Sequence, residues 1–424
     1  MTPMTAPAPF QVLSKPIGPI CNLDCTYCFY LEKERLYPGR QDWAMSPEVL
    51  ESFVRQYIAA STHDQVVFAW QGGEPTLLGV EYFERILALQ RRYADGKVIE
   101  NAIQTNGILL DRRWADFLAE NRFLVGVSID GPADLHDVYR RNKGGQATHA
   151  AVERSIQLLR SNGVAINTLT TVNRANGDDP LAVYRYLKSI GSDFMQFIPV
   201  VERATPMPSR DGLVLIGPVA VDSAEVTPWS VRPRQYGEFL CALFDEWVRC
   251  DVGTTFVQLF EVALQMWLGM ESSLCVFGET CGNALAMEHQ GDLYSCDHYV
   301  YPEHRLGNII ETSLEALARS PQQVEFGQAK KLNLPRECVE CEVVAACNGE
   351  CPKHRFMPAS DGTMRLNYLC AAYKRFFPHA DPYLQYMARE LAQRRSPASV
   401  MQYAGNATLP ETWPPYHSPR LADA

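Results

Sequence analysis

The chain has 424 residues and a mass of 47.7 kDa, with 46% hydrophobic and 21% charged residues, the composition of an ordinary soluble protein too long for one core. Its net charge of −10 and pI near 5.5 exclude a nucleic-acid backbone as the natural partner, because phosphate binding calls for a basic surface, and mildly suit a basic peptide. The start, M-T-P-M-T-A-P-A-P-F, lacks a secretory pattern and no stretch reaches the roughly 18 apolar residues of a membrane span, so the expected location is cytoplasmic.

From residue 10 to 200 short β-rich runs alternate with amphipathic helical patterns, which predicts βα units round a parallel sheet. The strands are Gln11 to Ser14, Gln65 to Trp70, Val98 to Gln104, Phe123 to Ile129, Val164 to Val172 and Phe194 to Val200, with helices such as Pro47 to Ala59 and Ala150 to Asn162 between them. Six such units predict a partial barrel. In these folds the loops after the strands build the site. Strand one is followed by Cys21, Cys25 and Cys28 in C-N-L-D-C-T-Y-C-F-Y, strand two by Gln71-Gly72-Gly73-Glu74-Pro75, strand three by Thr105-Asn106-Gly107, which reads as a turn, and strand four closes on Ser128-Ile129-Asp130-Gly131. Residues 201 to 232, with prolines at 206, 208, 218 and 228, read as an excursion. Helical patterns from Gln235 to Arg249 and Val257 to Leu268 read as a bridge, a second cysteine-rich region spans Cys275 to Cys370, and a loose tail starts near Arg395.

Thirteen cysteines in a reducing compartment point to metal or cluster ligation rather than disulfides. Three thiolates in a C-x3-C-x2-C run suit an iron–sulfur cluster with one open iron, whereas structural zinc would need a fourth ligand from elsewhere. Adjacent glycines let backbone approach a small zwitterion, and Glu74 can hold an ammonium. The downstream set is Cys275, Cys281 and Cys296, then Cys338, Cys341, Cys347, Cys351 and Cys370. Zinc ribbons and auxiliary clusters both fit that spacing on ligand type alone. Cys241 and Cys250, in a helical pattern outside these motifs, read as core.

The cysteine triplet and Q-G-G-E-P together resemble the radical S-adenosylmethionine enzymes, and the downstream spacing resembles their SPASM extension. The resemblance implies a partial (β/α)6 barrel over residues 1–234, a helical bridge at 235–270, a SPASM domain at 271–375, and a C-terminal helix and tail at 376–424. It implies three [4Fe-4S] clusters: one on Cys21, Cys25 and Cys28, one on Cys275, Cys281, Cys296 and Cys351, and one on Cys338, Cys341, Cys347 and Cys370. Three plus eight cysteines are one short of the irons in three such clusters, which leaves one iron for S-adenosylmethionine. Family-like contacts to that cofactor are Tyr27, Gly72, Gly73, Glu74, Ser128 and Arg140.

Cys296 is followed at once by Asp297 in Y-S-C-D-H-Y, which narrows the resemblance to the anaerobic sulfatase-maturating enzymes, extending from Pro9 to Tyr373. Such enzymes oxidise one cysteine or serine of a sulfatase to Cα-formylglycine (3-oxoalanine) without oxygen. The resemblance makes Asp297 the base and Tyr30 and Gln71 contacts to the peptide; a carboxyl titrating near ~4 is ionised at neutral pH but works on a thiol near ~8.5 only by proximity. His289 and His298 receive no role. The implied partners are an unfolded or nascent sulfatase segment, Cys/Ser-x-Pro/Ala-x-Arg, and an electron donor such as flavodoxin or ferredoxin. The alternatives are a radical enzyme that crosslinks or matures another peptide, a zinc-stabilised binding scaffold, and a simple electron carrier.

Overall fold

The computed structural model describes residues 9–204, 217 and 225–404. Pro206, Pro208, Pro218 and the tail beyond 404 therefore lie outside the described residues. β1 (Gln11–Lys15), β2 (Gln65–Trp70), β3 (Val98–Thr105), β4 (Leu124–Ser128), β5 (Ala165–Val172) and β6 (Phe194–Pro199) lie side by side in chain order, all parallel. Between them run α1 (Pro47–Ala60), α2 (Val80–Tyr93), α3 (Arg112–Glu120), α4 (Ala133–Tyr139), α5 (His149–Ser161) and α6 (Pro180–Ser189). Sequential order with right-handed crossovers keeps the helices on one face, so the sheet curls round the other, the partial barrel expected. Helix starts are local: Ser46 caps α1 by accepting from Val49 N at 3.2 Å, ahead of Pro47, and Asp111 caps α3 through Trp114 N at 3.0 Å.

Strand alternation decides what fills the barrel wall. On β2, Val66, Phe68 and Trp70 are buried against Phe53, Tyr57 and Phe83 of α1 and α2, each contributing on the order of 2 kcal/mol. Val67 between them stays 41% exposed, so the concave face is open. There the register sets Gln104, Gly126 and Asn167 abreast. A Cβ at 126 would sit 2.1 Å from Gln104 Oε1 and 2.9 Å from Asn167 Oδ1, and only glycine lets both amides close over it.

The sheet continues past both ends of this set. After α7 (Pro233–Cys250), strand Phe256–Val257 pairs in parallel with β6 and leads into α8 (Gln258–Trp267); the predicted bridge is thus built into the barrel wall. At the other edge, strand Ala284–Glu288 runs parallel along all of β1, from Gln11↔Ala284 to Lys15↔Glu288. Strands Asp292–Tyr294 and Arg305–Asn308 follow antiparallel and complete ten strands. The long helix Cys370–Ala392 stacks on α7 through Tyr373 against Tyr236 and Phe376 against Phe244. Cys241 is buried in α7 as expected, but Cys250 is exposed, because it is the helix's last residue and its turn faces outward.

Candidate active site

β1 ends at Lys15, and the triplet loop that follows is clamped from below by the glycine loop after β2. Gly73 N donates to Gly18 O and Glu74 N to Ile20 O, both at 2.8 Å. A Cβ on Gly73 would lie 2.0 Å from Ile20 O, and one on Gly72, whose φ is +132°, 2.8 Å from Gly18 O. The glycines are thus required by loop-on-loop contact. Glu74 is fully buried, and its carboxylate joins its own loop to the loop after β3. Oε1 accepts from Thr76 N (3.0 Å), Thr76 Oγ1 (2.6 Å) and Thr105 Oγ1 (2.8 Å), and Oε2 from Asn106 N (2.7 Å). Burial pushes its pKa up, and these donors offset part of that rise. Asn106 Nδ2 in turn donates to Asn22 Oδ1 at 2.7 Å and lies 3.6 Å from Cys21 Sγ. Thr105-Asn106-Gly107 is therefore more than a turn; its signal in the sequence is a polar pair at a strand's carboxyl end.

A second cluster holds the other wall. The Tyr27 hydroxyl donates to Asp130, Arg140 Nε lies 3.1 Å from the same oxygen, and the guanidinium sits 5.5 Å from the Tyr27 ring centroid. Asp130 Oδ1 accepts from Thr171 N at 3.1 Å and Thr171 Oγ1 at 2.9 Å. Asp130, not singled out in S-I-D-G, is the hub, while Ser128 accepts from Gln104 at 3.0 Å on the concave face. His136 Nδ1 takes the Asp130 backbone N–H at 3.2 Å, and Nε2 lies 3.0 Å from Thr148 Oγ1, whose own proton goes to Arg140 O at 2.8 Å. Those fixed donors assign a neutral ring protonated on Nε2. Burial lowers its pKa to about 4.

Asp297 opens a one-turn helix directly after Cys296. Lys15 Nζ lies 2.5 Å from its Oδ1, with the lysine side chain 3% and the aspartate side chain 20% exposed. Burial alone would raise the Asp297 pKa; Lys15, His298 and Lys353 outweigh it and hold it below the usual carboxylate range. The same ammonium lies 4.4 Å from the Tyr30 ring centroid, and the Tyr30 hydroxyl donates to buried Glu288. Tyr30 is itself only 3% exposed, and Gln71, half-buried, donates its backbone N–H to Ser14 O at 2.9 Å. Lys353 pairs with Glu202, and His298 Nδ1 lies 3.6 Å from Cys351 Sγ. Lys15 was invisible to motif reading because a lysine ending a strand normally reads as a solvated charge.

The eleven motif cysteines fall into three groups. Burial raises the thiol pKa of Cys21 to about 11 and of Cys25 to about 12, and Cys28 adds to both. Burial also raises Cys296, with Cys275 and Cys281 contributing, and Cys351, with Cys296 and Cys281 contributing. Cys338, Cys341, Cys347 and Cys370 line one small cleft with Asn367 and Tyr373. Among the described residues no three Cys, His, Asp or Glu side chains gather round a point able to hold a single metal ion, as tetrahedral zinc requires. In a [4Fe-4S] core each cysteine binds a different iron, so spaced groups of thiols fit it, and the iron charge would supply what their ionisation lacks.

The sequence matches the Radical SAM superfamily over residues 16–187 and the SPASM iron–sulfur cluster-binding domain over 275–342. It is 43% identical over 401 residues to the serine-type anaerobic sulfatase-maturating enzyme of Bacteroides thetaiotaomicron, covering 95% of this chain and 96% of that protein. It is 34% identical over 386 residues to the cysteine-type enzyme of Clostridium perfringens, covering 90% and 99%. The solved structure of native anSMEcpe with bound AdoMet and Cp18Cys peptide superposes with a TM-score of 0.78 at 34% identity, over 91% of this chain and all of that one.

Proposed function

The chain belongs to the anaerobic sulfatase-maturating enzymes of the radical S-adenosylmethionine superfamily, and from that premise we propose that Asp297 is the base in its oxidation of a sulfatase serine or cysteine to Cα-formylglycine. Cys21, Cys25 and Cys28 would hold a [4Fe-4S] cluster that, with S-adenosylmethionine, would supply the radical chemistry for hydrogen abstraction at the substrate Cβ, and the auxiliary clusters would supply an electron sink. Cys275, Cys281, Cys296 and Cys351 would hold the nearer auxiliary cluster; Cys338, Cys341, Cys347 and Cys370 the farther. Gly72 and Gly73, Tyr27 with Arg140, and Ser128 would hold the S-adenosylmethionine, with Glu74 acting through the loops it joins. Tyr30 and Gln71 border the peptide, whose segment reads Cys/Ser-x-Pro/Ala-x-Arg, and a flavodoxin or ferredoxin in the cytoplasm provides electrons.

The observation that most supports the base role is the position of Asp297, next to a cluster cysteine and paired with a buried lysine at the end of β1. Its lowered pKa keeps it ionised at neutral pH, so it takes the hydroxyl or thiol proton by proximity as the carbon radical forms. The test is anaerobic: reconstituted enzyme, S-adenosylmethionine, dithionite and two sulfatase-like peptides, one with serine and one with cysteine, followed by mass spectrometry. Aldehyde on either peptide is the expected product. Deoxyadenosine without aldehyde on both would move the substrate to another peptide, and an iron-loaded enzyme that makes no deoxyadenosine would overturn the reading.

A further inference from the structure

Lys15 closes β1 with its whole side chain inside the protein, 2% exposed as a residue. Its backbone is fixed from both sides, by β2 through Ser14↔Trp70 and by the opposite strand through Lys15↔Glu288. Asp297, by contrast, stands on a three-residue turn, Asp297–Tyr299, which gives its carboxylate little support of its own. Tyr299 of that turn packs on His304 and Phe326, and the 2.5 Å ion pair adds a direct side-chain tie from Asp297 to the end of β1. Lys15 Nζ sits against Oδ1, so a substrate proton would be taken by Oδ2, on a side chain that keeps 20% of its surface exposed. Of the other ammonium groups that act on Asp297, Lys353 already pairs with Glu202 and Lys33 lies over the Tyr301 ring, while the Tyr30 ring under Lys15 Nζ limits where the Lys15 ammonium can go.

We propose that Lys15 is a positioning residue for formylglycine formation, holding Asp297 through Oδ1 so that Oδ2 meets the proton of the substrate hydroxyl or thiol. The role rests on Asp297 being the base. It acts after the radical step, so it predicts a split between hydrogen abstraction and aldehyde formation that a structural lysine would not cause. Partners that orient a reacting group are commonly worth on the order of 10- to 100-fold.

The experiment compares wild type, Lys15→Met and Lys15→Arg, each loaded with iron, on a serine peptide deuterated at Cβ. Deuterium in deoxyadenosine reports abstraction, mass spectrometry reports aldehyde, and anisotropy of a labelled peptide reports binding. In Lys15→Met, labelled deoxyadenosine and peptide affinity are expected to persist while aldehyde per labelled deoxyadenosine falls about 10- to 100-fold; Lys15→Arg, which can keep the ion pair, is expected to recover most of it. A parallel fall of label and aldehyde, or an arginine variant no better than methionine, would overturn the role. Should Lys15→Met fail to hold iron, the same ratio in Lys15→Gln against Lys15→Arg decides. If the wild type makes aldehyde but Asp297→Asn does so equally, the base reading fails and the positioning role with it.

Discussion

One carboxylate oxygen of Asp297 faces a lysine, and a base held in this way has a role separable from the radical's. Asp297→Asn is expected to keep deoxyadenosine formation while aldehyde falls on the order of 10²- to 10⁴-fold, the usual worth of a general base; equal peptide turnover would remove it as base. Gly73 makes a second prediction. Its missing Cβ would lie 2.0 Å from a backbone carbonyl that cannot rotate away, so Gly73→Ala must displace the triplet loop, at a cost of about 1–3 kcal/mol. The expected reading is lost iron and electron-resonance signal at the Cys21 cluster, with the auxiliary signals kept. The glycine pair was legible in the sequence, but its reason was not, because Ile20 O is a backbone atom with no sequence signature. Asp130, Asn106 and Lys15 were missed for a related cause: Tyr27 meets Asp130 across 103 residues, and no local pattern encodes such a meeting.

At the scale of elements, the six strands could be read because β-branched alternation is local and strong. The two-residue strand Phe256–Val257 and the pairing of Ala284–Glu288 with β1 could not, since one is shorter than any period and the other is a long-range choice. Amphipathic α7 and α8 look the same whether they bridge domains or wall a barrel. The cysteine loops were the most legible feature, because ligand spacing is fixed by cluster geometry. Cys370 is the first residue of helix Cys370–Ala392, whose anchors Tyr373, Phe376 and Phe377 are buried independently of it. Cys370→Ala should therefore lose about four irons yet keep the helix by circular dichroism, and still cleave S-adenosylmethionine. Full iron retention would sink the ligand assignment.

For the molecule as a whole, acid stability follows from histidines buried neutral. His136 has its pKa lowered by burial to about 4, below the ~6.5 of an unfolded chain. Between those values the unfolded state binds the extra proton, so this contribution is complete above pH ~6.5 and lost as pH falls toward 4, in all about 3 kcal/mol. Wild type is expected to lose Tm faster than His136→Gln from pH 6.5 to 4.5; parallel curves would refute it. The continuous sheet carries a different consequence, in the order of synthesis. β1 emerges early from the ribosome, but its second neighbour follows about 270 residues later, so until then the strand bearing the triplet loop has a bare hydrogen-bonding edge. A fragment ending before residue 284 would leave that edge bare, an open template for self-association.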